Sequence, residues 1–204
     1  MKKSGLLDLI FYIAIPYFIW KYAREPLGDY HAMLLSTAPG VIYAAYRFLK
    51  EKQFNITGLF ILGSLCITTT VNLLSQNGEN MLWNQVYIGY FFAAIFVLSI
   101  IIKKPLALYF ALDIAVVQGK DRVKTKRLYT KRGIFKWFQR FTLIFVVRSL
   151  FHSTFKAWLI TIYGVEGYGK MLVYLNVTDW IFTVLIVLGM IFVRKRISQT
   201  LKKE

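Results

Sequence analysis

Arg148, His152 and Lys156 recur at i, i+4 and i+8 within one long apolar stretch, a spacing that sets all three on one face of an α-helix with Ser149 and Ser153 beside them. An ionisable group at membrane depth costs about 2.5–3.5 kcal/mol on insertion scales unless it is paired, wet or able to snorkel. Three on one stripe therefore need partners or water. Asp179, in the next apolar stretch, is the expected counter-ion. Counted inward from Tyr163 and Met171, Lys156 and Asp179 both lie about 10–12 Å deep at about 1.5 Å per residue, which predicts a Lys156–Asp179 pair. On the same count His152 is level with Phe182 and Thr183, and Arg148 is level with Ile186, with no acid opposite. Two readings of Arg148 stay open. Its guanidinium satisfies carbonyls released by Pro16 or by Pro39-Gly40, or it faces a cavity with His152 and accepts a carboxylate, a phosphate or a lipid headgroup. In the second case Arg148, His152, Lys156 and Asp179 would form a pathway for a solute, an ion or protons.

Other polar residues point to structure. Ser64, Cys66, Thr68, Thr69, Thr70 and Asn72 make a polar half of the third apolar stretch, where hydroxyls return hydrogen bonds to their own helix and let helices approach. Asn84 and Asn176 are expected to bond between helices, and Asp8 suits the positive pole of a helix N-terminus. A single cysteine, two histidines and ten acids among 204 residues leave little for a metal cluster. The sequence contains no phosphate-binding Gly-Lys-Ser/Thr loop, no His-Glu-x-x-His and no nucleophile elbow. Neither a cofactor nor enzyme activity is expected.

These residues need a frame that an 18% charged, 57% hydrophobic chain of net charge +16 can build. That balance excludes most soluble enzymes and disordered tails and predicts an all-α, polytopic membrane protein. Six apolar segments of near-spanning length lie at about 6–22, 31–48, 54–74, 81–102, 137–163 and 171–193. They are read as one domain over 1–204. The first is expected to be an uncleaved helix, because Asp8 interrupts it and no small-residue cleavage pattern follows Lys21 and Arg24. Of the 26 Lys and Arg, 21 fall in the termini and the even-numbered connections, with Arg47 and Arg140 at the adjoining segment ends included, which places both termini in the cytoplasm.

The fourth connection, 103–136, is the most basic. Lys103-Lys104-Pro105 ends the fourth segment, and Leu106–Val117 is apolar but too short to span, so a buried or surface-lying helix is expected there. Anionic headgroups of the adjacent leaflet are the expected partners of Lys103, Lys104, Lys120, Arg122, Lys124, Lys126, Arg127, Lys131 and Arg132. Membrane topology accounts for the same charges, and a nucleic-acid partner is not expected.

The early Leu7-Asp8-Leu9 before a Pro-containing helix, Tyr43-x-x-Tyr46-Arg47-Phe48 before a basic connection, and Lys103-Lys104-Pro105-Leu106 after the fourth segment resemble the intracellular septation protein A group, the inner membrane-spanning protein YciB family. The resemblance covers most of the chain in order. It implies a multi-pass protein of the bacterial cytoplasmic membrane, engaged in envelope maintenance or septation through lipids, a homo-oligomer or a protein partner, and it brings no catalytic residues. The long basic fourth connection departs from the family's shorter members. The expected function is thus a non-enzymatic envelope protein, with a small transporter or channel for an anionic solute, lipid headgroup or protons as the alternative.

Overall fold

The computed structural model describes residues 9–50 and 55–201. Leu6 to Asp8 of the first expected span, Phe54 of the third and the side chain of Arg132 lie outside the described residues. A π-helical turn over Ile10–Ala14 leads into α1 (Ile15–Lys50), followed by α2 (Ile56–Leu73), α3 (Gly78–Ile101), α4 (Leu106–Val117), α5 (Arg122–Tyr129), α6 (Arg132–Tyr163) and α7 (Tyr168–Leu201). No strand occurs among the described residues, and the protein is an all-α, multi-span membrane type.

Among the described residues, four helical stretches are long and apolar enough to cross a membrane: Ile56–Leu73, Gly78–Ile101, Gly133–Tyr163 and Val165–Gln199. They correspond to the last four expected segments. Segments 6–22 and 31–48 do not join them, because Lys21, Arg24, Glu25 and Asp29 separate two short apolar runs and Pro39, Gly40 and Arg47 dilute the second. The spanning helices carry their apolar side chains outward. Trp180, Val184, Leu188 and Ile191 of α7 are exposed, an arrangement that is stable when the solvent is hydrocarbon.

The chain forms two compact units. One comprises the described residues up to 50, Gly58–Ile88 and His152–Thr178; the other comprises Asn55–Thr57, Gly89–Phe151 and the described part of Asp179–Glu204. In the first unit α1 is broken at Gly28, whose φ of 73° and ψ of 167° are non-helical and in a region that side chains with a Cβ avoid. The chain doubles back there. Phe11 stacks on Tyr43 with ring centroids 4.7 Å apart, and a Cβ on Gly40 would stand 3.1 Å from the Tyr12 ring. The core joins Trp20, Met33, Met81, Leu82, Leu159 and Met171. Arg24 secures one end: its Nε donates to Asp29 Oδ1 at 2.6 Å, Glu166 lies 3.5 Å away, and the Trp20 ring lies under the guanidinium. The Asp29 hydrogen bond, working against desolvation, raises the Arg24 pKa above its ordinary value.

In the second unit the basic connection 103–136 is largely helical. Lys103, at φ 56°, is left-handed after α3, with Lys104 N donating to Ser99 O at 2.8 Å. Pro105 is the N-cap of α4. The hydroxyls of Ser99 and Thr142 accept from the otherwise orphaned amides of Leu106 and Ala107. Leu106–Val117 has the bounds read from sequence and buries Ala107, Leu108, Leu112, Asp113 and Ala115, so it is a packed helix. Gly119 (φ 85°) closes it in a Schellman turn, with Lys120 N donating to Ala115 O at 3.0 Å and Gly119 N to Val116 O at 2.9 Å. Asp121 then caps α5 by accepting from Lys124 N at 2.7 Å. Leu108, Leu112, Ile134, Phe138, Phe141 and Val193 form the core of this unit.

Candidate functional site

The stripe on α6 divides among different partners. Arg148 Nη2 donates to Asp179 Oδ1 at 2.7 Å, with side-chain exposures of 39% and 32%. The expected Lys156–Asp179 pairing is therefore corrected: Asp179 receives Arg148, and the guanidinium is not left for the carbonyls around Pro16 or Pro39. The register error has a local cause. The connection after Tyr163 is a tight turn, Gly164 (φ 56°) followed by one 3₁₀ turn over Val165–Gly167, and α7 starts at Tyr168. Starting α7 at Tyr168 rather than Met171 sets Asp179 three residues deeper, level with His152, and the long Arg148 side chain spans the remaining turn to reach it.

Lys156 is 7% exposed, and its ammonium donates to Gln85 Oε1. Gln85 Nε2 in turn donates to Asn72 Oδ1 at 2.9 Å. The Asn72 and Leu73 carbonyls accept from the Tyr30 hydroxyl at 3.2 and 2.9 Å, and Asn84 Nδ2 donates to Ser75 Oγ at 2.9 Å. A chain of neutral amides thus receives the buried cation, each group taking part of the hydrogen-bonding load. Gln85 was missed by sequence reading; an amide next to Asn84 within the apolar run of α3 was its only signal. Asn84 bonds to Ser75 in the connection before α3, outside its own helix but not to another helix. Asn176 instead donates to Leu172 O of its own helix. Ser64 returns its hydroxyl to Ile61 O, as expected of a hydroxyl packed in a membrane helix. His152 is half-buried and Ser153 buried on the same helix.

The basic connection presents a platform. Lys103, Lys104, Lys120, Arg122, Lys124, Lys126, Arg127 and Lys131 are exposed, whereas Thr125 and Tyr129 of α5 turn inward. Burial raises the pKa of the Tyr129 hydroxyl, partly offset by the Arg194 charge. The platform is anchored by Asp113, the single acid of α4. Asp113 is 2% exposed. Its Oδ2 accepts from the Thr57 amide at 2.8 Å and the Thr57 hydroxyl at 2.9 Å, so the carboxylate sits at the positive pole of α2. Oδ1 lies 3.2 Å from Arg122 Nη1, near enough for attraction but not aligned as a hydrogen bond. Arg122, 46% exposed at its side chain, is the platform residue that reaches inward.

Fold and site together define a helical, multi-pass membrane protein in which, among the described residues, no group of three or more His, Cys, Asp or Glu could hold a metal ion. Compared with protein-family models, curated proteins and solved structures, the chain matches none.

Proposed function

We propose that this is a non-enzymatic protein of the bacterial cytoplasmic membrane, similar to septation protein A, whose basic helical platform faces the cytoplasm and binds the anionic leaflet and partners docked there. The observation that carries this reading is α5. Its cations project outward while Thr125, Tyr129 and the Asp113–Arg122 contact hold its other side to the protein. A surface of that kind attracts anionic lipid by about 1 kcal/mol per basic residue.

Six passes with both termini inside remain the proposed topology. The hairpin that reverses at Gly28 supports it, because it brings the first two apolar runs side by side as antiparallel helices. The charge pattern agrees: the outer connections then hold Lys21, Arg24 and Lys170, and Arg24 is neutralised by Asp29 and Glu166. The Arg148–Asp179 pair and the amide-bound Lys156 favour a structural role for the stripe over a solute pathway, since charges already satisfied by protein attract a solute poorly.

The test is lipid selectivity of the full chain in bilayers containing spin-labelled lipids. The protein should immobilise phosphatidylglycerol in preference to phosphatidylcholine. Lys124→Gln, Lys126→Gln and Arg127→Gln together, and separately high salt, should weaken that preference markedly. Equal selectivity in the variant and the parent would overturn the reading.

A further inference from the structure

A cavity of about 280 Å³ opens beside the platform, wholly within the second unit. Its walls are apolar, built from Ala115 of α4, Phe138 and Phe141 of α6, and Met190 and Val193 of α7. Lys120 and Arg194 join the lining, with Gln118, Thr125, Tyr129 and Ser198 as neutral polar neighbours and no acid anywhere in it. Both cations are exposed, and neither has an ion-pair partner among the described residues. Arg194 opens the run Arg194-Lys195-Arg196, where the long apolar stretch of α7 gives way to charge. Arg194 thus stands where the apolar stretch ends, with the apolar walls of the cavity beside it.

An apolar chamber with two unpaired cations fits a molecule with a negative head and a hydrocarbon tail. A space of this size suits part of one acyl chain and not a whole lipid. Inorganic phosphate would satisfy the cations but leave the aromatic walls empty, whereas a neutral lipid would fill the walls and leave the cations unmatched. Each part of the lining thus excludes one simpler ligand.

We propose that this cavity holds one acyl chain of an anionic glycerophospholipid drawn from the surrounding leaflet, its phosphate set between Lys120 and Arg194. The inference rests on the reading that the platform faces that leaflet, and it adds a specific, saturable site to a diffuse attraction. The two are separable, since the α5 cations Lys124, Lys126 and Arg127 do not line the cavity.

Native mass spectrometry of the full chain in neutral detergent, titrated with phosphatidylglycerol, tests it. One lipid should bind far more tightly than the rest. Lys120→Gln with Arg194→Gln should weaken that first event about tenfold or more, the effect of losing a charge-assisted contact. Ala115→Phe, which fills the chamber, should do the same with every charge in place. If Ala115→Phe fails to give a monodisperse protein, Ala111→Leu, at a half-buried lining position, replaces it. Lys124→Gln with Lys126→Gln should leave the first event unchanged. Equal binding of phosphatidylcholine, displacement by inorganic phosphate as effective as by lipid, or insensitivity to filling would each overturn the proposal. Loss of the first event in the α5 variant alone would overturn it too, while leaving the platform reading intact.

Discussion

Asp179 should couple energetically to Arg148 and not to Lys156. The 2.7 Å contact puts the charge centres about 4 Å apart, which at an effective dielectric of about 20 is an attraction of about 4 kcal/mol. Each side chain is about one-third exposed, so screening reduces the usable coupling to about 2 kcal/mol. Replacing either residue alone by leucine deprives the other charge of this partner and should cost about 2–3 kcal/mol. Replacing both should return stability to within about 1 kcal/mol of the parent, because the leucine pair removes both desolvation penalties. Reversible unfolding in mixed micelles, run as a double-mutant cycle, measures this directly. The parallel cycle of Lys156→Leu with Asp179→Leu should be additive to within about 0.5 kcal/mol. Coupling larger in the 156/179 cycle than in the 148/179 cycle would refute both the pairing and the helix register behind it.

In the same unfolding assay Lys156→Met should be neutral or stabilising by about 1 kcal/mol, because an ammonium held only by an amide gives way to a side chain of similar length. Gln85→Leu should cost about 2 kcal/mol or more, since Lys156 loses its acceptor and Asn72 its donor. Asp113→Ala should cost about 2–3 kcal/mol through the lost Thr57 bonds, and Arg122→Gln only about 1 kcal/mol because that side chain is nearly half exposed; the reverse order would show that the ion pair, not the helix cap, anchors the platform. For Tyr129 the folded-state pKa is raised, so the contribution of the neutral phenol is full below the unfolded value of about 10 and is lost as pH climbs through the folded one. Melting temperature between about pH 9 and 11 should therefore fall more steeply for the parent than for Tyr129→Phe; parallel curves would mean that the hydroxyl is not buried.

Side-chain properties with a local meaning were legible in the chain. Apolar runs of spanning length, the stop at Lys103-Lys104-Pro105 and the bounds of Leu106–Val117 follow from hydrophobicity and backbone chemistry, which act on neighbours in sequence. The inward-facing polar residues were legible as a stripe because helical periodicity is also local. Their partners were not. Which residue of α6 Asp179 meets depends on the turn after Tyr163, four residues rather than seven, and on how far the Arg148 side chain reaches; each residue added to a helix moves every later side chain by about 1.5 Å and about 100°.

The sequence alone determined an apolar, strongly basic helical chain whose charge is concentrated in a few connections, because solvent preference and charge are sums over residues. Tertiary structure decided which of those charges are free. Asp113 reaches Thr57 across 56 positions, Lys156 reaches Gln85 across 71, and Lys120 joins Arg194 at one cavity. Such contacts depend on how helices pack and on the exact length of the turns between them, which no local pattern encodes.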